Sequence, residues 1–70
     1  MESKKFLRLN ATYNGQLFEI KEDLPGVGFY FYVYDKNGMC THDYLQDTLI
    51  MTKECALEEF GIPLNAWRET

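Results

Sequence analysis

The sequence predicts an α+β fold: a three-stranded antiparallel meander with one C-terminal amphipathic helix packed on one face (β-β-β-α) and a short C-terminal tail. Three observations support this fold. Apolar and polar residues alternate in the first half of the chain, an Asn-Gly dipeptide interrupts that alternation, and the apolar spacing becomes helical in the second half. With 70 residues and a net charge of −4, residues 1–70 are expected to form a single small acidic domain.

Residues 5–13 and 16–22 are predicted to be the first two strands. They flank Asn14-Gly15, the preferred sequence of a type I′ hairpin turn, in which both central residues have positive φ. A two-residue turn pairs Tyr13 with Gln16 and thereby fixes the register. The apolar pairs that result on one face are Ala11 with Phe18 and Leu9 with Ile20.

Residues 28–35 are predicted to be the third strand, after a loop in which Pro25-Gly26 suits a type II turn. Phe29, Phe31 and Val33 point to one side, and their apolar character assigns them to the helix-covered face. The opposite side carries Tyr30, Tyr32 and Tyr34, here called the tyrosine row. The segment 35–38, Asp-Lys-Asn-Gly, ends the strand as a turn.

Residues 43–60 are predicted to be the helix, and residues 61–70 the tail. At helical spacing, one largely apolar side of this segment is formed by Leu45, Leu49, Thr52, Ala56 and Phe60. Either Asp43 or Thr41 could cap the helix, whereas Gly61 and Pro63 are typical of its end. Trp67, the only tryptophan, is expected to pack on leftover apolar surface.

The tyrosine row is the candidate functional surface, with Phe6, Arg8 and Leu17 beside it. Tyrosine offers a large, stiff contact surface and is enriched in the centres of protein interfaces. The row therefore predicts a protein-binding site, for a second copy of the chain or for another protein. The alternative is that strands simply favour tyrosine and that the tail covers the row.

Several other function classes are disfavoured by composition. An acidic chain with scattered basic residues argues against nucleic-acid binding. The longest apolar stretch, Val27 to Tyr34, is far shorter than the roughly 20 residues that span a bilayer. Two cysteines without a Cys-x-x-Cys motif, and no apolar leader, predict a cytoplasmic protein with free thiols, no metal and no cofactor.

Cys40, His42 and Asp43 form the densest group of reactive side chains and carry the alternative function. A Cys-His pair can act as a nucleophile and its base, so these residues could serve a small enzyme or a ligand-binding protein at the junction of sheet and helix. We expect a non-enzymatic protein instead, because one histidine near a helix start is commonly a local hydrogen-bonding residue.

The predicted order of a sheet followed by a helix that opens near Asp47-Thr48-Leu49 resembles the small antitoxin domains of the HicB type. The resemblance assigns no residue a role. It implies a small acidic protein that binds and neutralises another protein.

Overall fold

The computed structural model of the protein describes residues 6–23 and 27–69. In these residues five strands form one antiparallel sheet in the order β4-β3-β2-β1-β5. The strands are β1 (Arg8–Tyr13), β2 (Gln16–Glu22), β3 (Phe29–Tyr34), β4 (Cys40–Gln46) and β5 (Arg68–Glu69). The helix α1 (Leu49–Phe60) follows β4, and a short 3₁₀ helix (Leu64–Ala66) precedes β5.

The β1–β2 hairpin has the predicted register. Tyr13 pairs with Gln16, and the two apolar pairs on the covered face are those expected from the sequence. Asn14 and Gly15 both have positive φ, at 53° and 77°, as a type I′ turn requires. The Asn-Gly dipeptide therefore fixes both the turn and the alignment of the strands that it joins.

The predicted three-stranded meander is wrong, because the sheet has five strands. The turn at 35–38 does not end the sheet; it reverses the chain so that β4 pairs with β3. The carboxylate of Asp35 holds this turn by accepting hydrogen bonds from the N–H groups of Asn37 and Met39, each at 2.9 Å. At the other edge, the tail returns to β1 and adds the two-residue strand β5.

The helix begins at Leu49, six residues later than predicted. Thr48 is its N-cap: the Thr48 hydroxyl accepts a hydrogen bond from the N–H of Met51 at 3.1 Å. Neither Asp43 nor Thr41 caps the helix, because both lie within β4. Gly61 ends the helix as predicted, donating its N–H to the carbonyl of Leu57 at 2.9 Å.

The core lies between the sheet and α1. Eight apolar residues form it: Leu9, Ala11, Phe18, Ile20, Phe31, Val33, Ala56 and Ile62. Six of them come from β1, β2 and β3, so the sheet supplies most of the buried surface. Phe60 completes the cluster, with its ring centre 5.5 Å from that of Phe18 and 5.7 Å from that of Phe31.

Three sequence predictions fall on residues outside the described ranges. They are the start of the first strand at residue 5, the turn at Pro25-Gly26, and the last residue of the tail, Thr70.

Candidate protein-binding face

The tyrosine row lies on the sheet face opposite α1. Alternation along β3 sends Phe31 and Val33 into the core, and sends the intervening tyrosines to the other side. The cross-strand partners of Tyr30, Tyr32 and Tyr34 on β2 are Lys21, Glu19 and Leu17. We call this surface the tyrosine face; its members are Tyr30, Tyr32, Tyr34, Leu17, Glu19, Lys21, Arg8, Asn10, Thr12, Cys40, Asp43, Leu45 and Arg68.

The rings of the tyrosine row follow one another along the strand, the first pair stacked and the second pair tilted. The ring centres of Tyr30 and Tyr32 lie 5.7 Å apart with an interplanar angle of 15°. Those of Tyr32 and Tyr34 lie 6.3 Å apart at 41°. All three side chains are half-buried, so each ring is held by its neighbours while part of its surface stays open to solvent.

Glu19 organises the middle of the tyrosine face. Its Oε1 accepts a hydrogen bond of 2.9 Å from the hydroxyl of Tyr34, and its Oε2 lies 3.9 Å from Nε of Arg8. Desolvation by burial, followed by the hydrogen bond to Glu19, raises the pKa of Tyr34 to about 12. The tyrosine hydroxyl therefore stays neutral and donating, and the carboxylate has partners on both oxygens.

Tyr32 occupies the centre of the row, between Glu19 on β2 and Asp43 on β4. Burial is the main reason that the pKa of Tyr32 is raised, and the neighbouring Tyr30, Asp43, Cys40 and Glu19 raise it further. These groups lie close enough to disfavour a phenolate. The centre of the tyrosine face is thus partly desolvated even in the single chain.

Sequence reasoning missed Asp43, Leu45 and Arg68 as members of this face. The sequence pattern places Asp43 and Leu45 in the helix and Arg68 in the tail, but β4 and β5 bring all three beside the predicted residues. The turn at 35–38 was the signal that could have found β4, since a tight turn after one strand often starts the next.

Trp67 lies on the other side of the sheet. Its ring packs edge-on against Phe31, with the centres 6.0 Å apart, so the tail covers the core as expected. No residue of the described tail covers the tyrosine row. Phe6 precedes β1 and lines a shallow depression with Arg8 and Lys21, at the end of the face where Tyr30 lies.

The structure does not assemble Cys40, His42 and Asp43 into one site. Cys40 and Asp43 lie on the tyrosine face, paired with Tyr34 and Tyr32, whereas His42 lies on the helix side. The His42 ring stands edge-on to Phe60, with the centres 5.7 Å apart, and the Cys40 thiol lies 3.4 Å from the His42 carbonyl oxygen. In residues 6–23 and 27–69, no three His, Cys, Asp or Glu side chains converge as a metal site would require.

The charge of the tyrosine face differs from that of the helix. The face carries three basic side chains, Arg8, Lys21 and Arg68, against the two carboxylates of Glu19 and Asp43. The exposed side of α1 carries Glu54, Glu58 and Glu59. The acidity of the chain is therefore concentrated away from the tyrosine face.

No protein-family model matches this chain, and no curated protein or solved structure matches it significantly. Among the helices of the described residues, none is both long enough and apolar enough to cross a membrane.

Proposed function

We propose that this protein is a non-enzymatic protein–protein interaction module that binds through the tyrosine face. The observation that carries the proposal is the continuous, half-buried tyrosine row on a sheet face that no described element covers. Tyrosine side chains lose little conformational entropy on binding, and those already ordered lose still less. A row of this kind can therefore bind a partner with little loss of side-chain conformational entropy.

The surroundings of the row fit a protein partner. Leu17 and Leu45 flank the tyrosines and are exposed, so the face combines aromatic and aliphatic contact surface with a few charges around it. This composition is typical of interface centres with polar rims. The basic residues are too few and too balanced by Glu19 and Asp43 to favour a phosphate backbone. Cys40 and Cys55 are free thiols, which fits the cytoplasm as the place of binding.

Site-specific photo-crosslinking in living cells tests the proposal. We would replace Leu17 with p-benzoylphenylalanine on the tyrosine face, and Leu57 with the same residue on the helix as a matched control. The two leucines are equally suited, because they are 46% and 42% exposed. We expect covalent adducts with one identifiable protein from position 17, resistant to nuclease, and few from position 57.

A second variant ties these adducts to the row. Tyr30→Ser combined with Tyr32→Ser, in the chain that carries the probe at position 17, should reduce adduct yield at least about tenfold, since it removes two aromatic anchors. Circular dichroism and Trp67 fluorescence would establish that this variant is folded. Equal yields from both probe positions, or adducts lost on nuclease treatment, would contradict the proposal.

A further inference from the structure

We infer that the partner of the tyrosine face is a second copy of this chain, packed face to face about a two-fold axis. The axis runs parallel to the strands and passes between β2 and β3. The inference rests on the proposed function and names its partner. It is carried by the arrangement of charges across the face.

The strand registers arrange the face as three rows that cross the sheet from β4 to β1. The first row is Leu45, Tyr30, Lys21 and Arg8. The second row is Asp43, Tyr32, Glu19 and Asn10, and Arg68 of β5 extends it. The third row is Cys40, Tyr34, Leu17 and Thr12. The basic side chains thus lie mainly on the β1 side, and Asp43 lies on the β4 side.

A two-fold axis between β2 and β3 keeps each row opposite itself but reverses the order of the strands. Tyr30 then faces Lys21 of the second copy, a favourable cation–π arrangement, and Tyr34 faces Leu17. Asp43 comes to lie beside Arg68 of the second copy. Every contact of this kind occurs twice, as an isologous interface requires, and no like charges face each other.

Two other two-fold arrangements of the same faces bring like charges together. An axis in the sheet plane, perpendicular to the strands and passing over the second row, would place Asp43 over Asp43 and Glu19 over Glu19. An axis parallel to the strands but directly over β2 would place Lys21 over Lys21 and again Glu19 over Glu19. Facing like charges are destabilising, so the charge pattern favours the axis between β2 and β3 over these two arrangements.

The size of the face sets the expected strength of the dimer. In the selected arrangement four strands overlap, each six or seven residues long. Strand spacing and rise per residue give a flat footprint of roughly 400 Å² per copy. With the relief of the side chains, the total buried area is on the order of 1,000 Å², the lower limit for specific interfaces. We expect a dimer that dissociates in the micromolar range.

Sedimentation of the full chain over a range of micromolar concentrations tests the inference. We expect a reversible monomer–dimer equilibrium. Leu17→Glu should weaken it at least about tenfold, because the new carboxylate would face the Tyr34 ring of the second copy. Leu57→Glu, which makes the same change on the helix, should leave it unaltered. A wild-type chain that stays monomeric, or a dimer indifferent to Leu17→Glu, would overturn the inference.

A charge exchange tests the axis itself. Asp43→Lys and Arg68→Glu should each weaken self-association about tenfold, since each variant alone pairs like charges at both symmetric contacts. A one-to-one mixture of the two variants should restore dimers, because both contacts of the mixed pair join opposite charges again. Glu54→Lys on the helix alters net charge as much as Asp43→Lys does and should have no such effect. Failure of the mixture to restore association would overturn the selected axis.

Sedimentation and crosslinking at position 17 together distinguish a failure of the dimer from a failure of the proposed interaction module. A monomeric chain whose probe at position 17 crosslinks a different protein would overturn the dimer and retain the interaction module. A monomeric chain without adducts at that position would overturn both. Adducts between two copies of the chain, together with the restored mixture, would support both.

Discussion

Phe31 and Tyr32 are neighbours on β3, yet they experience opposite environments. The Phe31 side chain is fully buried and contacts the rings of Phe18, Phe60 and Trp67. The Tyr32 side chain is half-buried, and its ring contacts the two other tyrosines of the row. One strand therefore supplies the core with every second residue and supplies the tyrosine face with the residues between them.

In a chain of this size, the residues that form the core are different from those that form the tyrosine face. The helix contributes only two fully buried side chains, Thr52 and Ala56. Most apolar burial therefore comes from aliphatic and aromatic residues of the sheet, and Phe60 and Trp67 pack against them. The tyrosine face is spared from this role, so its residues can change without loss of the core.

The sharpest test of this separation compares Phe31→Ala with Tyr32→Ala. Phe31→Ala leaves a cavity beneath several rings and should lower the free energy of unfolding by about 3–5 kcal/mol. Tyr32→Ala should cost about 1 kcal/mol or less, because the ring is partly exposed in the folded chain. Urea unfolding followed by far-ultraviolet circular dichroism, at concentrations below dimer formation, measures both.

Phe31→Ala can leave too little stability for an unfolding transition to be observed. Ile20→Val then serves as the core variant, with an expected cost of about 1 kcal/mol at a fully buried position. Leu17→Val, the corresponding deletion of a methylene on the tyrosine face, should cost less. Equal losses for the two positions would refute the division of the sheet into a stabilising and a binding face.

A smaller effect is expected where β4 joins the sheet. Gly28 has φ +142°, and a Cβ at this residue would lie 2.5 Å from the carbonyl oxygen of Gln46. Gly28→Ala should therefore cost about 2 kcal/mol and loosen the end of the tyrosine face that Leu45 and Tyr30 form.

Gly38→Ala is the matched control for this prediction. Gly38 also has a positive φ, of +82°, but a Cβ there would meet no atom within 4 Å. We expect it to cost about 1 kcal/mol from backbone strain alone and to leave self-association unchanged. If Gly28→Ala dimerised as tightly as the wild type, the position of β4 beside β3 would not affect self-association through the tyrosine face.

The first three strands were predictable from the sequence because each has a local signal. Asn14-Gly15 fixes a hairpin by its φ values alone, and the alternation of Phe and Tyr on β3 has a period of two that no helix shares. The tyrosine row was predictable for the same reason. The placement of Leu17 and Arg8 on one face followed from the hairpin register, whereas the pairing of Leu17 with Tyr34 comes from the structure.

β4 and β5 lacked such signals. β4 is an edge strand whose residues are largely exposed on both faces, so it shows no alternation of apolar and polar side chains. Leu45 also lies at helical spacing from Leu49 and Thr52, which extended the predicted helix into β4. β5 has two residues, too few for any periodicity. The structure therefore adds Asp43 and Arg68 to the face, and the proposed charge exchange uses these two residues to test how two copies align.

The smallest expected effect is the pH dependence of stability that Tyr34 on the tyrosine face contributes. In the folded chain the pKa of Tyr34 is about 12, whereas a tyrosine in the unfolded chain has a pKa of about 10. The folded state therefore holds this proton more strongly. Its contribution to stability is fully present below pH 10 and is lost as the pH rises through 12.

Titration of the phenolate absorbance measures this shift directly. Among the five tyrosines, the wild-type chain should show one that ionises near pH 12, and Tyr34→Phe should remove that step. Glu19→Gln should lower its midpoint, because the carboxylate that accepts the Tyr34 hydrogen bond also repels a phenolate. An unchanged titration in Glu19→Gln would mean that desolvation alone holds the Tyr34 proton.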